Sequence, residues 1–166
     1  MLEFSTPVLI VERISEVKYM QVKDIMTSEP ACCTAETPLE EAAKLMVDFD
    51  CGEIPVVDGY GTMIPVAVIT DRDITCRTVA KGLNPLQMRV ADCMSTPLIC
   101  VMEDTSLDDC KRTLEEHQIR RVPVVDGSGK CTGIVALADI ALNLSKADSG
   151  EVLKEVSEAS AAASSV

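Results

Sequence analysis

The chain has 166 residues, 47% hydrophobic and 25% charged, the composition of an ordinary globular protein with one compact domain or two small ones. Its formal net charge of −12 argues against broad binding to nucleic acid or acidic membranes and leaves room only for a focused anion site. Aromatic residues are 2% with no Trp, which argues against base-stacking platforms and requires a core of Val, Ile, Leu, Met, Ala and Cys.

The first apolar run, Val8 to Val11, is far too short to cross a bilayer and lacks the basic flank and cleavage site of a signal peptide. The expected compartment is the cytoplasm, where the eight cysteines should be mostly reduced. They form no CxxC pair, the usual mark of a zinc site, so no metal is assigned and most are expected to be small core residues.

Ala31 to Thr34 is the first strand candidate. Thr37-Pro38 then opens a helix, Thr as N-cap and Pro at the first helical position. Leu39, Ala42, Ala43, Met46 and Phe49 follow helical spacing and predict a buried face. Glu53 to Val57 reads as a strand closed by the turn signal Asp58-Gly59-Tyr60-Gly61, and Met63 to Ile69 as its returning partner. Thr70 starts a helix running from Asp71 to about Lys81. After Asn84-Pro85 the series begins again: a strand at Ile99 to Val101, then a helix from Ser106 to His117 with Leu107, Cys110 and Leu114 on one face. A hairpin of Val122 to Val125 and Cys131 to Ala136 follows, and a helix from Leu137 to Leu144 closes the series.

The recurrence is a true repeat. Shifted by 68 positions, Val22 to Gly59 lies on Val90 to Gly127 without a gap, and 11 of the 38 pairs are identical. Chance would give roughly two or three. A two-residue insertion in the first copy then brings Asp73-Ile74 onto Asp139-Ile140. The chain thus divides into an N-terminal extension (1–20), a first copy (21–82), a linker (83–89), a second copy (90–146) and a tail (147–166) expected to be partly disordered from about Ser157. A unit of about 60 residues buries too little surface alone. The fold class expected is α/β: two β-α-β-β-α repeats packed with pseudo-twofold symmetry.

Several motifs carry a resemblance. They are Asp24-Ile25-Met26 and its echo Asp92-Cys93-Met94, the doubled Pro-Val-Val-Asp-Gly, and Val68-Ile69-Thr70-Asp71-Arg72-Asp73. Their order and duplication resemble the tandem cystathionine-β-synthase (CBS) domain pair, from Val22 to Ser145, and most closely the small stand-alone, hypoxic-response-like members. The resemblance implies a regulatory protein that binds an adenosine-containing ligand between the repeats, with no catalytic residues, no required cofactor and a homodimeric assembly.

Thr70 and Asp73 match the family's ribose-binding Thr/Ser-x-x-Asp. A carboxylate can accept hydrogen bonds from vicinal ribose hydroxyls, and the helix start favours a phosphate. The same spacing is also that of a capping box. In the second copy the motif reads Ala136-Leu137-Ala138-Asp139, so Asp139 remains without its hydroxyl partner, and a single competent site is expected. Arg120 and Arg121 match family positions that reach a phosphate, where the first copy has Gly52 and Glu53. The positions that contact adenine through backbone are matched by Cys33, Thr34, Ile54 and Pro55.

His117, the one histidine, aligns with Phe49 and is expected to be packed inward. Two rival readings remain: a ligand-free interaction module, and a redox- or metal-responsive protein using Cys32, Cys33 and Cys100.

Overall fold

A computed structural model describes residues 20–143. The first copy forms β1 (Thr27–Ser28), β2 (Cys33–Thr34), α1 (Leu39–Asp48), β3 (Glu53–Val57), β4 (Pro65–Thr70) and α2 (Asp71–Arg77). The second forms β5 (Val101–Met102), α3 (Leu107–His117), β6 (Arg121–Val125), β7 (Cys131–Ala136) and α4 (Leu137–Asn143). From β2 in the first copy and from β5 in the second, each copy has the expected β-α-β-β-α order, and β1 is an addition to the first. In the first, β2 pairs parallel with β3 because α1 supplies the crossover, and β3 pairs antiparallel with β4 through a hairpin. The four-stranded sheet has the order β1-β7-β6-β5, with β5 parallel to β6. No helix among the described residues is long and apolar enough to cross a membrane.

By compactness the chain falls into two units that do not coincide with the two copies. One combines Thr27–Met102 with Pro123–Ile134, and the other combines Glu103–Val122 with the described residues 20–26 and 135–143. The cause is an exchange of entry segments. In the first unit the second copy's entry docks beside α1, with Val90 N–H donating to the Thr37 carbonyl (3.0 Å) and Ala91 N–H to that of Ala35 (2.9 Å). In the other unit the first copy's entry docks in the same register: Val22 N–H donates to the Thr105 carbonyl (2.9 Å) and Lys23 N–H to that of Glu103 (3.0 Å). Val22 and Val90 are both fully buried at these contacts. Asp24 and Asp92, in the two matching entry motifs, accept from the backbone N–H groups of Gln21 and Arg89, both at 2.8 Å.

The core is aliphatic and sulfur-containing, as the shortage of aromatics requires. Around the three-stranded sheet it holds Cys33, Leu39, Ala42, Met46, Ile54, Val56, Ala67 and Ile69, joined by Val90 and Cys93 from the exchanged entry. On α3, Leu107, Cys110 and Leu114 are buried as their spacing predicts. Of the eight cysteines, Cys33, Cys93, Cys110 and Cys131 are buried, Cys32 and Cys51 half-buried, and Cys76 and Cys100 exposed.

Several expectations need correction. Phe49 is 60% exposed, because α1 ends at Asp48 and its periodicity stops there. His117, at the last residue of α3, is exposed rather than packed. Thr37 is not the cap of α1: Pro38 holds that place, while the buried Thr37 hydroxyl accepts from Thr34 N–H at 3.0 Å. The helix after Thr70 stops at Arg77 and not Lys81. Buried Thr78 turns its hydroxyl back onto the Ile74 carbonyl (2.6 Å), and a separate short turn, Val79–Lys81, follows. The strand expected from Met63 begins only at Pro65, since Met63 has a left-handed φ of 58°. The strands expected at Ala31 and at Ile99 begin at Cys33 and Val101, and β1 carried no strand signal. The tail from Ala147, including the expected fraying from Ser157, and the extension before Met20 lie outside the described residues.

Candidate functional site

Thr70 ends β4 in extended geometry and caps α2. Its hydroxyl accepts from Asp73 N–H (3.0 Å), and the Asp73 carboxylate accepts from Thr70 N–H (3.1 Å), which completes a capping box. The capping chemistry expected of this spacing is therefore present. Acidic Asp71 and Asp73 both sit in the first turn, where the helix dipole favours them.

Asp73 does more than cap. Ser95, from the exchanged entry of the second copy, donates its hydroxyl to both carboxylate oxygens at 3.0 and 3.1 Å. Arg77, one turn along α2, lies 3.1 Å from the same carboxylate and donates to Ser95 Oγ at 2.9 Å. Its other nitrogen donates to the carbonyls of Cys93 (2.6 Å) and Met94 (2.8 Å). Asp73, Arg77 and Ser95 thus clamp the entry segment onto the start of α2, and a two-way bridge between Val68 and Ser95 reinforces the clamp.

The clamp limits what Asp73 can bind. A carboxylate offers about four acceptor positions. Thr70 N–H, Ser95 O–H and Arg77 N–H occupy three. A single hydroxyl could be accepted as the site stands, and a vicinal pair once the Ser95 hydroxyl rotates away. The Asp73 side chain is 12% exposed, so an incoming group meets only its edge.

The sheet places the other residues of this unit along β3. Thr70 registers with Glu53, and Ile54 and Pro55 are the next two rungs. Cys33 and Thr34 register with Val56 and Val57, three and four rungs from Glu53, or about 10–14 Å at strand spacing. Cys33 and Ile54 are fully buried in the core, which leaves only their backbone for a ligand. Burial pushes the Cys33 thiol up to about 12, aided by the charge of Glu41, so it stays protonated and unreactive. The Thr34 hydroxyl is 3.1 Å from that of Thr37.

Arg120, Arg121 and Asp139 belong to the other unit. Arg121 opens β6 half-buried, and the Arg120 carbonyl accepts from Leu137 N–H at 2.8 Å. Asp139 accepts from Ala136 N–H at 2.7 Å, so the second copy keeps half of the capping box. Ser95 and Arg77 had not been expected at the site. Arg77 stands at i+4 from Asp73, a signal visible in sequence. Ser95 is 22 residues from Asp73 and gave none.

The model of the CBS domain matches residues 22–77 and 90–146. The chain belongs to the CBS domain family. The CBS pair is a regulatory module. Among curated relatives, the CBS domain-containing protein YhcV of Bacillus subtilis is 40% identical over 137 residues, 82% of this chain and 94% of that protein. The crystal structure of Hypoxic Response Protein I with two coordinated zinc ions superposes with a TM-score of 0.67 at 31% identity, covering 76% of this chain and 100% of that one. The CBS-pair protein CBSX2 of Arabidopsis thaliana in complex with AMP gives 0.61 at 28% identity, covering 74% and 93%. These similarities place the chain with the stand-alone CBS-pair proteins, including the hypoxic-response type.

Proposed function

We propose that this protein is a regulatory sensor that binds an adenosine-containing ligand of the AMP, ADP or ATP class and signals to a partner through a change of conformation. The observation that carries the reading is the edge-exposed Asp73 carboxylate at the strand-to-helix turn, with one acceptor position left open. The similarity to AMP-bound CBSX2 supports it.

In this reading Thr70 and Asp73 take the ribose. The Ser95 hydroxyl yields its place to a second sugar hydroxyl, which loosens the clamp on the exchanged entry segment. Ligand binding thereby favours the conformation in which that segment is released from Asp73. The backbone of Ile54 and Pro55, and of Cys33 and Thr34 further along the sheet, serves the adenine. The resemblance assigns the phosphate to Arg120 or Arg121, whose paired N–H groups suit it. Asp139 has no capping hydroxyl beside it and is assigned a weak or empty second site. The protein acts in the cytoplasm as a homodimer on a regulated partner, without catalysis of its own.

The test is a thermal-shift panel of AMP, ADP, ATP, S-adenosylmethionine and NAD on reduced, metal-free protein. Ligand at a hundred times its Kd should add about 3 kcal/mol, a rise of several degrees in Tm. One adenosine ligand should raise Tm, and Arg120→Ala or Arg121→Ala should weaken a phosphate-bearing ligand more than adenosine. A flat panel would overturn the sensor reading in favour of a ligand-free interaction module.

A further inference from the structure

The two entry segments repeat one pattern but are fastened unequally, each within its own unit. The second, Met88–Ser95, is held along its whole length. Leu39 N–H donates to the Met88 carbonyl at 2.9 Å, and the Arg89 guanidinium donates to the Glu36 carbonyl at 2.7 Å. Cys93 is 1% exposed and packs with Val90 into the core around the three-stranded sheet. Arg77 then holds the carbonyls of Cys93 and Met94, and Asp73 grips Ser95.

The first entry, Met20–Met26, keeps the pattern and loses these fastenings one by one. Leu107 N–H matches Leu39 N–H but reaches the Met20 carbonyl only at 3.4 Å. Gln21 stands where the second entry has Arg89, so no guanidinium is supplied there. Ile25 takes the place of Cys93 and is only half-buried. Asn143, which matches Arg77, donates to the Asp139 carbonyl and does not hold the carbonyls of Ile25 and Met26. What fixes this entry is buried Val22, the bridge of Gln21 with Ser106, and two backbone bonds, from Val22 N–H to Thr105 and from Lys23 N–H to Glu103. A segment held by so few groups opens at a lower free energy than the fold around it.

We propose that the seat formed by Glu103, Thr105 and Ser106 before α3 is a docking site that opens: the first entry leaves it while the second stays clamped, and the first entry of a second molecule of this chain takes its place.

The occupant follows from what the seat already reads. Carbonyls of two residues spaced i, i+2 take two successive N–H groups, and a valine is buried between them, so the backbone supplies the hold and one pocket the selection. The same pattern sits in the same register beside α1, which shows that the fit belongs to the segment and not to its position in the chain. An identical segment from another molecule makes identical contacts, and such an exchange costs little beyond bringing the two chains together. The first entry is the one suited to this seat. It carries Lys23 to a stretch bearing Glu103 and Asp104, where the second entry has Ala91. The hinge is the junction Met26–Thr27, where the chain passes from one unit to the other. The inference does not depend on the nucleotide reading, which concerns the other entry.

The experiment uses the unmutated full chain under reducing conditions and has two arms. Native-state hydrogen exchange compares the Val22 and Lys23 amides with those of Val90 and Ala91. The first pair should exchange at least about tenfold faster, through an opening that leaves the second pair protected. Equal protection of the two pairs, or greater protection of the first, would overturn the proposal. In the other arm, carbon-13-labelled and unlabelled chains are unfolded together in urea and refolded at about 1 mM, where a second molecule competes with a tethered segment. Isotope-filtered NOEs should join Val22 of one chain to Thr105 or Ser106 of the other. Contacts of Val22 confined to its own chain would overturn the proposal, as would intermolecular contacts made by Val90 with Ala35 or Thr37 in their stead. A dimer formed through other faces leaves the Val22 contacts within each chain and so counts with the contradicting results.

Discussion

The starts of α2 and α4 descend from one repeated sequence and hold the same aspartate, yet they are built differently. At α2, Asp73 accepts from Thr70 N–H, Ser95 and Arg77, and the Thr70 hydroxyl returns the cap. At α4, Asp139 accepts from Ala136 N–H, and no hydroxyl stands at the cap. Ala138 occupies the place of Arg72, and Asn143, matching Arg77 under the same shift, donates instead to the Asp139 backbone carbonyl at 2.7 Å. Shared ancestry thus preserved the backbone turn in both copies and a charged clamp in one. The clamp ties a helix start to a segment of the other copy, and such a tie is what a ligand competing for Asp73 could loosen.

The comparison can be broken most strongly at the two aspartates. Asp73→Ala strands the Ser95 hydroxyl and the partly buried Arg77 and should cost about 2–4 kcal/mol, with the ion pair discounted because Arg77 is 40% exposed. Asp139→Ala removes a single backbone hydrogen bond and should cost about 1 kcal/mol. Urea unfolding of both variants measures the difference, and equal losses would mean that the clamp adds nothing.

A smaller effect is expected at Ser95. Ser95→Ala should cost about 1–2 kcal/mol in the same assay. Thr27 occupies the matching place in the first copy and is exposed, so Thr27→Ala should stay within about 0.5 kcal/mol. Smaller still is a gain: Ala136→Thr installs the missing N-cap and should stabilise by about 0.5–1 kcal/mol.

The hairpin turns give the smallest effect, one of pH. Asp58 accepts from the Thr62 hydroxyl and from Ile64 N–H, which lower its carboxyl. Asp126 accepts from the Ser128 hydroxyl and from the N–H groups of Ser128 and Lys130, with the same result. A carboxyl lowered in the folded state stabilises above its unfolded value and loses that contribution as pH falls through the folded one. Both turns should therefore weaken only below about pH 4. Carboxyl-carbon NMR titration should place both groups below a free Asp, and Thr62→Ala should raise Asp58 alone.

Local features of this fold were legible because their causes are local. Hydrophobic spacing placed α3, and the Thr70–Asp73 spacing placed the capping box of α2. Misreadings arose where a side chain turned on its own backbone. Thr78 broke a helix by bonding back to Ile74, and Thr37 bonded to Thr34 instead of capping α1. Phe49 followed the spacing of a helix that had already ended. Exchange of the entry segments was hidden by the repeat itself. Val22 and Val90 each fit a segment of the Thr37 or Thr105 kind, and identical patterns carry no label saying which copy is the partner. Ser95 reached Asp73 only through that exchange, so its part in the site was invisible in the sequence.

Isothermal titration calorimetry of AMP and ATP into reduced protein tests the single-site reading most directly. Asp73→Asn keeps the side-chain volume while weakening the acceptor, and Asp139→Asn does the same in the second copy. One site per chain, lost in Asp73→Asn and retained in Asp139→Asn, is the expected result. Two equivalent sites, or binding indifferent to Asp73→Asn, would contradict it.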